Sequence, residues 1–345
     1  MKIPVAKLLI EKLFRKNSDV GPPAPLLTTH CTYCSWNSFM QATSSKGMRM
    51  PSTMACHRPY DTMCLLALTV ASKEIISTLR AGSIPWKNEI VNDANSGLPR
   101  SVATRKAFCP LNTMLLQIAL HRNNFVSRWW GTQSKWQELG GSVDQSTEPT
   151  VVYNCDWTPL PLFCIDQVAG PSVDTLRVHD FSIANADTAN RTRIDQLVKS
   201  SGADIRVGVG DATHSAGNWY VAPNPWIAFP FHSTGDYILL APPEFHSNPA
   251  THHYTLLHEL IHWAEVRTNW ISDMPMRELV AEIGSGWIAT ELGCPPCPCR
   301  INENKWLERW LWEMRRDSDY VFRAVTQARR AFNFIMSIIE GDKRC

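Results

Sequence analysis

Apolar and polar positions fall into no sustained period over residues 1–65, where Pro22, Pro23 and Pro25 sit among serines and threonines. Regular structure begins with CLLALTVASKEIISTLRAG. Further on, short runs rich in β-branched and aromatic residues, edged by proline, predict strands at TVVYNCDW, NWYVAPNPWIAFPF and DYILLAPP. TRIDQLVKSSGADIRVGVG predicts a helix, a glycine-bearing turn and a strand. YTLLHELIHWAEV then reads as a helix, and MRELVAEIGSGWIATELG as a second, from about Met276 to a stop at Gly293, with Leu279, Ile283 and Trp287 recurring every four residues as its packing face. The closing stretch NENKWLERWLWEMRRDSDYVFRAVTQARRAFNFIMSIIEG reads as wholly helical. Its apolar faces carry Trp306, Trp310, Phe322, Val325, Phe332 and Ile335; Arg315, Arg316, Arg329 and Arg330 belong to solvated ones. The resulting class is α+β, a short sheet leading into helices.

Composition adds bounds. A chain of 345 residues has room for two domains, and 44% hydrophobic with 19% charged residues describes an ordinary soluble protein. No apolar run approaches the length of a membrane span, so no membrane partner is expected. Eleven cysteines lack the density of a disulfide framework, and the start MKIPVAKLLIEKLFRKNSDV lacks a clean signal-peptide core, which favours a reduced, cytoplasmic setting. Cys31 with Cys34, and Cys294 with Cys297 and Cys299, each resemble half of a second metal site. Residues 1–67 are expected to be a disordered extension or to precede the true start, with Met48, Met50, Met54 and Met63 as alternative starts.

Charge is uneven. The net charge is only +2, yet from Lys73 to Lys135 nine Lys or Arg face three acids, interleaved with aromatic residues. Cations follow a phosphate backbone and aromatic faces stack on unpaired bases, so the segment suits single-stranded nucleic acid. The candidate contacts are Trp86, Lys87, Arg100, Arg105, Lys106, Arg128, Trp129, Trp130 and Lys135. The competing reading makes the tryptophans core and the charges a solvated face. Gly208 and Gly210 precede no phosphate-cradling helix, so no nucleotide site is expected.

The chemistry concentrates in His258-Glu259-Leu260-Ile261-His262. On a helix the two histidines are one turn apart and face one way, so both imidazoles can reach one metal ion. Glu259 beside them is placed as general base toward a metal-activated water. A third ligand is expected from a second helix. Glu278 fills that role, with Glu282 one turn on as its companion, or the two in exchanged roles; the alternative pairs both with Arg277 or Arg267 on a solvated face. His252, His253 and Tyr254 are candidate donors to a developing oxyanion.

The stretches IPWKNEI, GLPRSVATRKAFCPLNTMLL, FVSRWWGTQSKWQELGGSV, YTLLHELIHW, RELVAEIGS and WLERWLWEMRRDSDYVFRAVTQARRAF, in this order over residues 68–337, resemble the ArdC-type antirestriction proteins of plasmids and other mobile elements. The resemblance implies a small single-stranded-DNA-binding domain, placed at 68–165, followed by a zincin-like metallopeptidase domain, placed at 166–345, with a short sheet and metal-binding helices. It also implies a zinc ion, or manganese, on His258, His262 and Glu278 with Glu259 as base. The implied role is protection of incoming DNA from host restriction, with an unspecified protein or peptide substrate. The segment SVATRKAFCPLN departs from the turn rich in Asn, Gly and Tyr usual there. The alternative function is a single-stranded-DNA-binding protein whose metal domain is structural and non-catalytic. A third reading makes the chain a peptidase or toxin-like domain that merely inherited a basic module.

Overall fold

The computed structural model describes residues 61–87, 97–171, 173–174, 186–208, 219–221, 235–246, 249–294 and 305–342. The expectations for residues 1–60, for Gly210, for the later part of the NWYVAPNPWIAFPF strand and for Cys31, Cys34, Cys297 and Cys299 lie outside them. The described residues fall into two compact units, one taking in Asp61–Val70 and Tyr153–Pro159, the other Ala71–Val152 and the chain from Leu160 onward.

Helix α1 (Asp61–Arg80) opens the described chain where regular patterning begins. Contrary to the sequence reading, its Thr62–Arg80 stretch is long and apolar enough to span a bilayer by length and composition. Ile75, Ile76 and Leu79 are buried in the core, however, while Lys73, Ser77 and Arg80 are exposed, so the helix has the two faces of a core element. Helix α2 (Pro110–Asn123) starts on a proline whose missing N–H costs nothing there, and ends at Asn124 in the left-handed conformation (φ 54°). Every residue from Leu111 to Leu120 is buried, which marks a central helix without a polar face.

A four-stranded sheet in the order β1-β2-β5-β4 is built from β1 (Arg100–Ser101), β2 (Trp129–Gly131), β4 (Thr150–Tyr153) and β5 (Pro159–Cys164). Helix α3 (Gln133–Glu138) follows β2. Its Trp136 is fully buried and donates its indole N–H to the Phe163 carbonyl at 3.0 Å. Strands β3 (Ser142–Val143) and β6 (Val168–Ala169) form an antiparallel pair.

After helix α4 (Ala186–Ser201), Gly202 turns the chain at φ +66° into β7 (Ile205–Val207). Strand β9 (Tyr237–Leu240) is the middle of a three-stranded sheet, parallel to β7 and antiparallel to β8 (Trp219–Val221). The sheet leads into α5 (Pro249–Arg267), which packs on β8 and β9, and α6 (Met274–Leu292) packs against α5. Helix α6 stops where expected, with Gly293 in the left-handed region at φ 70°.

The closing stretch is two helices, α7 (Leu307–Arg316) and α8 (Tyr320–Asp342), and not one. Asp317 ends α7 in an extended conformation, its carboxylate accepts the Asp319 N–H at 2.9 Å, and Arg323 pairs with both aspartates. Short acidic side chains here offer the backbone a local alternative to helix. A second correction concerns Arg329. It is buried, not solvated: it lies over the Trp287 ring at 4.6 Å and donates to Thr113 Oγ1 at 2.8 Å, and burial pulls its pKa down to about 10 against the attraction of Glu291.

Two glycines let α6 accept close neighbours. A Cβ on Gly284 would lie 2.6 Å from Ile261 of α5, and one on Gly286 would lie 2.5 Å from the Trp86 carbonyl oxygen. Gly286→Ala sets two effects against each other. Helix propensity favours alanine by about 1 kcal/mol, but the new methyl meets backbone, and overpacking costs about 1–3 kcal/mol. The expected result is net destabilisation, read as a lower urea midpoint.

Candidate metal centre

Helix α5 holds His258 and His262 one turn apart, their ring centroids 5.0 Å from each other. Both Nε2 atoms turn to one carboxylate from α6: His258 Nε2 is 3.7 Å from Glu278 Oε2, and His262 Nε2 is 3.9 Å from Glu278 Oε1. One donor atom from each of the three residues lies within 4.8 Å of the others. Three donors bonded to a shared zinc at roughly 2.0–2.2 Å in a tetrahedral array would stand about 3.4 Å apart, so small side-chain adjustments bring this set onto one ion. The chemistry of the set, two imidazoles and a carboxylate, fits zinc or a similar divalent metal.

The Nδ1 atoms face outward, each onto its own carboxylate. His258 Nδ1 is 3.8 Å from Glu282 Oε1, and His262 Nδ1 is 3.2 Å from Glu265 Oε2. The Glu265 contact is within hydrogen-bond reach and favours the tautomer that leaves His262 Nε2 free to bind metal, whereas Glu282 faces His258 Nδ1 at ion-pair distance. Sequence reading reached Glu282 but missed Glu265, which is 1% exposed and three residues beyond the second histidine. A second acid in HELIHWAE was the available signal. The arginines offered as alternative partners of Glu278 and Glu282 are engaged elsewhere: Arg277 with Glu265 at 2.8 Å, and Arg267 with Asp236.

Charge around the histidines is strongly negative. Burial disfavours a proton on His258, yet Glu278, Glu259 and Glu282 outweigh it and push its pKa up to about 9. Burial works against the Glu278 charge too, but His258 and His262 hold its carboxyl below the usual range. Glu259 is itself 5% exposed. Of the candidate oxyanion donors, Tyr254 is committed to Glu282, its hydroxyl donating to the carbonyl at 3.1 Å and to Oε2 at 3.3 Å. His252 and His253 stand edge-on to each other, ring centroids 5.9 Å apart.

The candidate DNA contacts divide. Trp86, Trp129 and Trp130 are at most 6% exposed, so core packing holds faces that base stacking would need. Lys87 is buried beside Glu282, Nζ 3.6 Å from Oε2. Arg100 and Arg128 both pair with Glu291 of α6, at 2.6 and 3.2 Å. Of these six, the three tryptophans and Lys87 are buried, while Arg100 and Arg128 are partly exposed and engaged by Glu291. The Leu98 N–H joins the same carboxylate, and although burial opposes it, Arg128 and Arg100 keep the Glu291 pKa low. Arg105 and Lys106 remain exposed, and Lys135 is half-buried with an ion pair to Glu138.

Residues 192–327, which contain every member of this centre except Lys87, match the family model of a zincin-like metallopeptidase. Residues 71–160 match the N-terminal domain of anti-restriction factor ArdC. Fold and site thus define a zincin-like metallopeptidase domain preceded by an ArdC-type N-terminal domain. With both domains in that order, the chain belongs to the ArdC antirestriction family. The metal-free crystal structure of antirestriction ArdC from plasmid R388 is similar at 22% identity and a TM-score of 0.60, covering 79% of this chain and 98% of that one. The Mn(II)-bound structure of the same protein gives 23% and 0.58, covering 79% and 97%. No curated protein matches the chain.

A metal ion must displace the proton from His258, so metal affinity is expected to rise with pH, about tenfold per unit for one proton, up to about 9. Stability of the metal-free protein runs the other way. The His258 contribution is complete below its ordinary pKa of 6.5 and is lost as pH rises through about 9. Calorimetric titration with zinc in buffers of different ionisation enthalpy, near neutral pH, should register a released proton; none released would contradict the assignment.

Proposed function

We propose that the chain is a metal-dependent peptidase whose N-terminal domain binds single-stranded DNA, and that it protects incoming DNA of a mobile element from host restriction. The convergence of His258, His262 and Glu278 donor atoms within 4.8 Å carries this reading. The three would hold zinc, with manganese as the alternative suggested by the Mn(II)-bound ArdC of R388. A bound ion would supply Lewis acidity toward a substrate carbonyl oxygen and an attacking water.

The remaining chemistry belongs to the chain. Glu259 takes the proton of the attacking water and delivers it to the nitrogen of the leaving amine. Glu265 holds the His262 imidazole by Nδ1, and Glu282 faces Nδ1 of His258 as its counter-charge. Burial of Glu259 and Glu265 limits water around the reacting groups. Strand β8, at the sheet edge that lies against α5, is the place for an extended peptide to add by backbone pairing. In this reading residues 68–165 form the DNA-binding domain and 166–345 the peptidase domain, acting in the cytoplasm. The alternative, a DNA-coating protein with a structural metal, leaves no task for a buried carboxylate next to a ligand histidine.

Metal analysis of the purified chain should find about one zinc or manganese, absent in a His258→Ala, His262→Ala double variant. Glu259→Gln should keep the metal and lose protection of incoming DNA; protection that survives in this variant would favour the coating alternative. Of the nine candidate contacts, Arg105 and Lys106 are the exposed ones. Replacing both with alanine should flatten the slope of log affinity against log salt for single-stranded DNA by about 1.4, at about 0.7 per contact.

A further inference from the structure

Lys87 stands behind the ligand histidines and not on a DNA-facing surface. We propose that it is a positioning residue of the metal centre: contributed by the N-terminal domain, it holds Glu282 against His258 and completes the ligand support of the other domain. The inference rests on the metal-site reading above.

A tight turn delivers it. Lys87 N–H donates to the Ile84 carbonyl at 3.1 Å, closing Ile84-Pro85-Trp86-Lys87 with proline at the position its fixed φ favours. Trp86 within the turn is fully buried, and its backbone lies so close over Gly286 that a Cβ there would come within 2.5 Å of its oxygen. Glu282 is one helical turn from Gly286 on the same face of α6. The residue after Trp86 therefore arrives at Glu282. Its ammonium lies 3.6 Å from Oε2 and 4.2 Å from the centroid of the Tyr254 ring.

A lysine only 7% exposed is costly unless its charge is met, and here Glu282 and the Tyr254 face meet it. With Lys87 and the Tyr254 hydroxyl on Oε2, Oε1 is left for His258 Nδ1. The second histidine is likewise backed by a carboxylate that a cation holds, though there Arg277 Nε and His262 Nδ1 meet one and the same oxygen, Glu265 Oε2. The two halves differ in origin: Arg277 comes from α6 itself, whereas Lys87 lies within the ArdC-type N-terminal match and outside residues 192–327.

The test uses the full chain and zinc competed against a chromophoric chelator, for the wild type, Lys87→Met, Glu282→Gln and the double variant. Lys87→Met should weaken zinc binding by about 10- to 100-fold. The double variant should bind no more weakly than Glu282→Gln alone, because Lys87 acts through that carboxylate. Lys87→Arg, which keeps the charge, should restore most of the affinity, and the visible absorption of cobalt(II) in the site should shift with Lys87→Met and return with Lys87→Arg. If Lys87→Met does not fold, Lys87→Gln takes its place in the cycle. Unchanged zinc affinity in the charge-removing variant, or losses that multiply in the double variant, would overturn the proposal while leaving the metal site intact. A wild type that takes up no zinc would overturn both.

Discussion

Negative charge crowded around two imidazoles is the constraint on which the rest of the centre depends. Glu259, Glu265, Glu278 and Glu282 converge on His258 and His262 from two packed helices, and Glu259 and Glu265 are almost wholly removed from water. Four carboxylates cannot share so small and dry a volume without cations. Arg277 and Lys87 supply two, and in the metal-free protein a proton on His258 supplies another. A divalent ion at the remaining focus of charge would displace that proton, leaving each imidazole between an ion on one nitrogen and a carboxylate on the other. The close approach of α5 and α6 over Gly284 is what allows the groups to meet.

Much of this was legible in the sequence because it is local. The two histidines, Glu259, Glu278 and Glu282 sit at helical spacings within single helices, and the Gly293 stop follows from left-handed geometry at a helix end. Contacts between segments distant in sequence were not legible. Helix α2 shows no amphipathic period because Leu111 through Leu120 are all buried, so a pattern that depends on a polar face was missing. The break between α7 and α8 rests on Asp317 and Asp319 capturing backbone and Arg323, a competition that apolar periodicity does not register.

The basic, tryptophan-rich N-terminal segment shows why composition misleads at this level. Its cations and rings suit nucleic acid, yet Arg100 and Arg128 close on Glu291, Lys87 closes on Glu282, and the tryptophans fill core. The acids that answer these cations lie more than 160 residues away, on one helix. A charge count over the segment alone therefore overstates what it offers to solvent. Of the nine candidate contacts, Arg105 and Lys106, on the turn after β1, are the ones that stay exposed.

Glycine at 286 sets a limit on modular exchange. Such proteins invite description as two interchangeable parts, one for nucleic acid and one for chemistry. Here the surface of the zincin-like part is cut to receive a specific turn, since the space over Gly286 is filled by the Trp86 backbone. A zincin-like domain moved into a new chain without that turn would carry a bare notch on its central helix and a carboxylate lacking its counter-charge. The boundary between the parts in sequence is thus not a boundary in space around α6, where the Trp86–Lys87 turn of one part fills a notch in the other.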